Sequence, residues 1–436
     1  MGLTATQEGI WFAEQLAPGR SGYHDAVTVH LDGPLDVALL RNCLTDCYER
    51  HDALRLRVVE SSGRLTQTFD APLPTWHDHD LATLTPQRQA ADIRRRFALD
   101  CTEPFDLAVG PLWRLRLLRL SATEHRLLIV LHHLMSDGWA HGVFLRTLLS
   151  CYAARLGHAA LPVGAPSFQD WARHRIAEEH ASADRAQAAA VELSTAPRRF
   201  VLPGLREART TRGAVLPVPI AAEELDAFNA ACAAAGMSRY MAMTGLFALL
   251  VSDLAGTEEV VLAAPVADRL LPGSDRIVGC MINAVPIRIS PGVAGMLAPR
   301  TGARARSAAL AGRSAVVSAL RLLPVPYRDI MRASGITARS SLADPLTNLA
   351  CEEFTSPRGS WQIDRLRVTI VPRGEFQTRH DLTLCVPREP DSTPELLFPP
   401  ARWANGAVES IADALARLAG SFVRESAAHR TRVTVK

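Results

Sequence analysis

Arg126-Leu127-Leu128-Ile129-Val130-Leu131-His132-His133-Leu134-Met135-Ser136-Asp137-Gly138 is the stretch from which the fold is read. Its first half is apolar almost without interruption, which predicts a central strand buried on both faces. Two histidines follow at once, then an aspartate and a glycine. Beyond Gly138, residues Val143, Leu145, Leu148 and Leu149 recur at helical spacing. A strand, a short loop rich in titratable groups and a helix succeed one another. Loops of this kind often carry catalytic groups, because a rigid sheet aims them. The pattern H-H-x-x-x-D-G arises by chance in roughly one chain in a thousand of this length.

Working outward, Trp11, Phe12 and Leu16 predict an early helix, and Asp36 is placed to cap a second one through Val37, Leu40, Leu44, Cys47 and Tyr48. Leu54 to Val59 alternates, Ser61-Ser62-Gly63 turns, and Leu65 to Phe69 returns as the second arm of a hairpin. Leu112 to Leu117 alternates as a half-buried strand. An Ala-rich stretch from Arg173 to Ser194 predicts one helix, and Pro197 to Thr211 has the composition of a linker. The second half returns to mixed signals. A helix from Glu223 closes near Gly236, Ser238 caps a strongly apolar helix, and strands are expected at 260–264, 284–289 and 382–386. Val408, Ile411, Leu415, Leu418 and Phe422 mark a final amphipathic helix. The expectation is an α/β protein of two lobes, residues 1–195 and 196–436.

Composition excludes several classes. The 436 residues are 48% hydrophobic and 21% charged, as in ordinary globular proteins. The net charge is +3, the cations are arginines apart from Lys436, and acidic residues are interspersed among them, which argues against nucleic-acid binding. Eight cysteines form no C-x-x-C pair, and Cys43 and Cys47, four apart, are expected to share a buried helix face. No signal peptide or membrane-length apolar run is seen, and a formal N-myristoylation match at Met1 to Thr6 stands alone. A cytoplasmic protein with reduced thiols is expected.

The residues themselves leave three readings of the double histidine: catalytic, metal-binding or structural. No further His or Glu stands nearby at ligand spacing, so no metal is expected. Trp76-His77-Asp78-His79-Asp80 imitates a ligand cluster and is read as a solvated loop.

His132 to Trp139 resembles the core motif of the condensation domains of nonribosomal peptide synthetases, within the wider H-H-x-x-x-D-G acyltransferase superfamily. Other phrases resemble that family in order along the chain. They are Ala5 to Phe12, Arg50 to Arg55 (with Asp52 where Glu is usual), Pro104 to Leu107 with Gly110-Pro111-Leu112 and Arg114, Ser167 to Ala172, Ile277 to Asn283 with Pro286 to Arg288, and His380 to Leu384. The chain departs from the family at Val325 to Asp329, where a His-Gln-Asp is usual. It also departs after Asp344-Pro345-Leu346, where Glu352 stands in place of an Asn.

The resemblance implies two chloramphenicol-acetyltransferase-like lobes forming a V-shaped pseudo-dimer with the active site between them. It also implies chemistry: an amine or hydroxyl acceptor attacks an acyl or aminoacyl thioester and yields an amide or ester. The donor would ride on the phosphopantetheine arm of a carrier protein, with no cofactor bound to the chain itself. His133 would be catalytic. His132, Asp137 and Gly138 would support the loop, with Arg288 expected as the salt-bridge partner of Asp137. Ser136, Trp139 and Asn283 are the candidates for lining a substrate channel. A monomer, free-standing or excised, is expected. Two other functions remain: an O-acyltransferase of the same superfamily using a coenzyme A or carrier thioester, and a non-catalytic recruitment module.

Overall fold

A computed structural model describes the chain except residues 17–22, 198, 209–211, 293–302, 337–345, 355–358, 372–377 and 435–436. Asp344, Pro345 and parts of the expected linker therefore lie outside the described residues. The chain divides into two compact units. The first gathers residues 1–180, 267–282 and 356–375; the second gathers 181–266, 283–355 and 376–436. The sequence places a single cut at 195/196, whereas two later excursions join the first unit. Their strands pair with its sheet or their loops pack on its core, and neither carries a local signal of where it goes.

The first unit is built on a six-stranded sheet in the order Gly359–Ile363, Leu366–Val371, His24–Asp32, Glu124–His132, Trp113–Arg119, His77–Asp80. Glu124–His132 is central, as its unbroken apolar run requires, and pairs antiparallel with both neighbours. One face carries Val27, Val29, Leu31, Leu127, Ile129 and Leu131 into a core shared with Trp113 and Phe144. Leu118, Leu120 and Leu128 meet Ile93 and Phe97 in a separate cluster. The hairpin strands Leu56–Ser61 and Arg64–Phe69 pair as expected but form their own two-stranded sheet. His77–Asp80 is an edge strand parallel to Trp113–Arg119, which corrects its reading as a loop. The Ala-rich stretch is two helices, Phe168–His180 and Ala183–Leu193, rather than one.

The second unit has its own six-stranded sheet, ordered Ala214–Pro217, Glu395–Phe398, Leu382–Pro387, Leu349–Phe354, Val260–Ala267, Ile282–Ile289. Ser238 caps Arg239–Ala255 by accepting the Met241 N–H at 3.1 Å, and Gly256 ends that helix at φ 65°. Phe228, Phe247 and Phe422 are fully buried in the core. In place of the family's Asn, Glu352 accepts the Cys385 thiol at 2.8 Å.

Helices Arg239–Ala255 and Arg304–Ala319 touch backbone to backbone. A Cβ on Gly245 would stand 2.0 Å from the Ala308 carbonyl oxygen, and one on Gly312 would stand 2.4 Å from that of Met241. Helix propensity alone favours alanine by about 1 kcal/mol. Overpacking against immobile backbone costs roughly 1–3 kcal/mol or more and wins. Gly312→Ala is therefore expected to lower the urea midpoint. Gly164→Ala is the control, since its Cβ would meet nothing within 4 Å.

Candidate active site

The double histidine straddles the end of the central strand. The main-chain N–H of His132 donates to Leu112 and that of His133 donates to Tyr23, so both neighbouring chains hold the turn. His24 lies opposite His132 in the antiparallel register, and Asp25 lies opposite Leu131. Side chains alternate across a strand. His24 and His132 therefore share one face, while Tyr23, Asp25 and His133 share the other.

The first face is a buried support. The Leu134 N–H donates to Nδ1 of His132 at 3.0 Å, so neutral His132 carries its proton on Nε2. That nitrogen lies 3.6 Å from the carboxylate of Glu14. Nδ1 of His24 meets the Cys101 carbonyl at 2.8 Å, and its Nε2 lies 3.9 Å from Glu14. Phe105 packs edge-on against both rings. Glu14, His24 and His132 bring three ligand atoms within 4.8 Å of one another, a grouping that spacing along the sequence does not reveal. The donor set suits a cation poorly. With Nδ1 already accepting an amide hydrogen, a metal on Nε2 of His132 would require the imidazolate.

Burial pushes His24 down to about 4, with the neighbouring His132 adding to the effect. Burial likewise pushes His51 down to about 4. An unfolded histidine titrates near 6.5. Between those values the unfolded chain takes up protons that the native one refuses. Stability from these residues is complete above pH ~6.5 and is lost as pH falls through about 4. At pH 5 the loss is on the order of 1–2 kcal/mol per histidine. Urea midpoints at pH 7.5 and pH 5 check this; equal midpoints would contradict it.

The loop itself is clamped from several sides. Asp137 caps the helix Gly138–Arg155 by accepting the Ala140 N–H at 2.7 Å. Its other oxygen accepts the Met281 N–H at 2.9 Å. Arg269 donates to both oxygens at 2.8 and 3.0 Å, with both side chains almost wholly buried. This corrects the expected partner: Arg288 instead binds Glu259, at 2.7 and 2.9 Å, and the carbonyl of Glu192. Arg269 follows a strand, and its guanidinium also reaches the Ser274 and Ile277 carbonyls, closing its own loop around the aspartate. Nothing in the sequence separates it from the other arginines.

The family-like phrases meet here as physical contacts. Buried Gln7 donates to the Leu134 carbonyl at 3.0 Å. Asp52 accepts from the Ser167 hydroxyl and from the N–H groups of Phe168 and Gln169, capping the helix that follows. A Cβ on Gly279 would collide with the Phe168 ring at 2.2 Å, so only glycine fits that approach.

Among the other expected site residues, Ser136 is fully buried, and its hydroxyl donates to the His132 carbonyl at 3.1 Å. Trp139 is half-buried, donates to the Asp275 carbonyl at 2.9 Å and lies beside the Arg269 guanidinium. Asn283 is in the second unit, where its amide donates to the carbonyls of Leu323 and Val325. The space in front of Gly138 is open. His133 keeps 17% of its side chain exposed, whereas His132 keeps none. An imidazole presented from a rigid strand end, beside an open helix start, has the layout of a general base.

A family model, Condensation domain, matches residues 1–419. The chain belongs to the condensation-domain family. It is 29% identical over 97% of its length to phosphinothricin tripeptide synthetase PhsC of Streptomyces viridochromogenes, and 28% identical over 66% to malpibaldin synthetase of Mortierella alpina. It spans 39% of the first of these relatives and 5% of the second. Among solved structures, the first condensation domain of the CDA synthetase superposes with a TM-score of 0.77 at 20% identity, over 97% of this chain and 96% of that one. The starter condensation domain of rhizomide synthetase, solved with C8-CoA, gives 0.76 at 19%, over 97% and 94%. The X-domain solved with OxyB from teicoplanin biosynthesis gives 0.78 at 21%, over 97% and 93%. These likenesses establish the mixed α/β fold with two sheet-containing lobes.

Proposed function

We propose that this chain is an acyltransferase of the condensation type, acting in nonribosomal peptide or related natural-product synthesis. The donor is an acyl or aminoacyl thioester on the phosphopantetheine arm of a carrier protein. An amine or hydroxyl acceptor attacks its carbonyl, and the carrier thiol departs. The observation that carries this reading is the presentation of His133. It stands partly exposed at the end of the central strand, on a loop pinned by Asp137 and Arg269. In this reading His133 takes the acceptor's proton, while His132, Asp137 and Gly138 hold and open the loop. Trp139 is the channel candidate that keeps access to solvent. Eight free thiols fit a reducing compartment such as the cytoplasm, a monomer is the state proposed, and no single helix among the described residues is long and apolar enough to cross a membrane.

Intact-mass measurement tests the proposal. Carrier proteins loaded with a panel of acyl groups are mixed with amines and alcohols, with and without the protein. Enzyme-dependent loss of the acyl group to an acceptor supports it; background rates throughout would remove it. The rhizomide likeness to a domain holding C8-CoA makes coenzyme A thioesters the second donor class to include. The X-domain likeness supports a second reading, a recruitment module for a tailoring enzyme. The intact motif at His133, Asp137 and Gly138 favours catalysis over it.

A further inference from the structure

His133 stands in the middle of a tight turn. The His132 carbonyl accepts the Met135 N–H at 3.1 Å, which closes four residues with His133 and Leu134 at the centre. The peptide unit between Leu134 and Met135 is thus held at its N–H end. Across a trans peptide the C=O points opposite to the N–H, so the Leu134 carbonyl faces out of the turn. There it accepts the side-chain amide of Gln7 at 3.0 Å. Gln7 and Leu134 are both fully buried, which leaves bulk water no access to the bond.

The local structure calls for a glutamine at this contact. Thr4 and Gln7 form a capping box at the start of the helix Ala5–Leu16. The Thr4 hydroxyl accepts the Gln7 N–H at 3.3 Å, and Gln7 Oε1 accepts the Thr4 N–H at 3.0 Å. With its oxygen committed to a main-chain donor, the amide turns its nitrogen to the loop. One hydrogen goes to Leu134. The other goes to Oε1 of Gln67, at 3.2 Å, in the hairpin strand Arg64–Phe69. A glutamate serves a capping box equally well. When ionised, however, it has no hydrogen for the Leu134 carbonyl.

We propose that Gln7 is a positioning residue: by fixing the Leu134–Met135 peptide plane it sets the turn, and with it the aim of the His133 imidazole. This rests on the thioester-condensation reading above. Without its donor the buried Leu134 carbonyl is left unpaired, and the peptide plane turns toward whatever donor it finds. That rotation changes the backbone angles at the centre of the turn, where His133 is carried. Rates are sensitive to such displacements, and about 1 Å costs up to ~10²-fold. Gln7 is fully buried and offers substrate no surface, so the effect falls on kcat rather than KM.

Three variants separate positioning from plain stability. The assay is the carrier-thioester reaction with an acceptor that wild type uses, corrected for folded fraction by circular dichroism. Methionine nearly matches glutamine in length and donates nothing. Gln7→Met is expected to lower kcat by ~10-fold or more, with KM within about 3-fold. Gln67→Met removes a buried amide bonded to Gln7 and to the Gly2 carbonyl but leaves the Leu134 bond in place. Its urea midpoint should fall too, while its kcat stays within about 2-fold of wild type. Gln7→Glu adds a pH signature. Burial and two facing oxygens raise the pKa of the new carboxyl, and its protonated form regains one hydrogen for Leu134. Its kcat relative to wild type is therefore expected to fall as pH rises from about 6 to about 8.5. An unchanged kcat in Gln7→Met, or an equal loss in Gln67→Met, would overturn the positioning role and leave the condensation reading standing. Wild type that turns over no acceptor removes the condensation reading, and this inference with it. If Gln7→Met does not fold, Gln7→Glu carries the test, and a ratio to wild type that stays flat with pH counts against the proposal.

Discussion

His133→Ala is expected to cut product formation by about 10²–10⁴-fold, the usual worth of a positioned acid–base group. The variant should fold. The His133 N–H bond to Tyr23 belongs to the main chain, and the lost ring is partly exposed, so no large cavity is left in the core. The size of the loss reports on the acceptor. An amine with a reference pKa near 8 is already partly neutral at pH 7 and needs less help. An alcohol is far weaker as an acid and leans harder on a base. A drop near 10² therefore points to an amine, and one near 10⁴ fits either. Initial rates of product formation by intact mass, on protein with an unchanged circular dichroism spectrum, decide the matter. Wild-type rates in the variant would move the chemistry away from His133.

Asp137→Ala is expected to destabilise the protein by roughly 3–5 kcal/mol, the cost of stranding a buried charge. Arg269 has 5% of its side chain exposed and would lose both carboxylate bonds. The helix Gly138–Arg155 would lose its cap, and the Met281 N–H its acceptor. Arg269→Met should cost less, because Asp137 would keep both main-chain donors. Asp137→Asn should fall between them, keeping a cap but losing the charge. Urea midpoints and soluble yield rank the three. A soluble Asp137→Ala protein with the wild-type midpoint would show that the ion pair contributes nothing to the fold.

The sequence made the central strand, its loop and the following helix legible because periodicity and capping are local. Asp36 reads as a helix cap, Ser238 as another, and Cys43 and Cys47 as core residues; the structure has each of them so. What escaped was set by chain topology. Arg269 meets Asp137 across more than a hundred residues of chain, and no periodicity separates it from Arg288. Asp25 and Glu14 reach the histidines only once the strand His24–Asp32 and the first helix are placed. Val27, Val29 and Leu31 alternate in that strand, but the polar residues between and before them, Asp25 included, weaken its pattern in the sequence.

The strand Leu366–Val371 lies beside His24–Asp32 in the first sheet, although the sheet's other flank comes from residues before 133. On the ribosome, His24–Asp32 and Glu124–His132 therefore emerge long before their last neighbour. The delay is about 240 residues, or roughly 10–50 s at ~5–20 residues per second. Through that interval His24–Asp32 presents an unpaired hydrogen-bonding edge. Asp137 likewise waits for Arg269 to be synthesised. The loop from His133 to Gly138 thus gains its full set of contacts only after Arg269 has been made, while one edge of the first sheet still stands open.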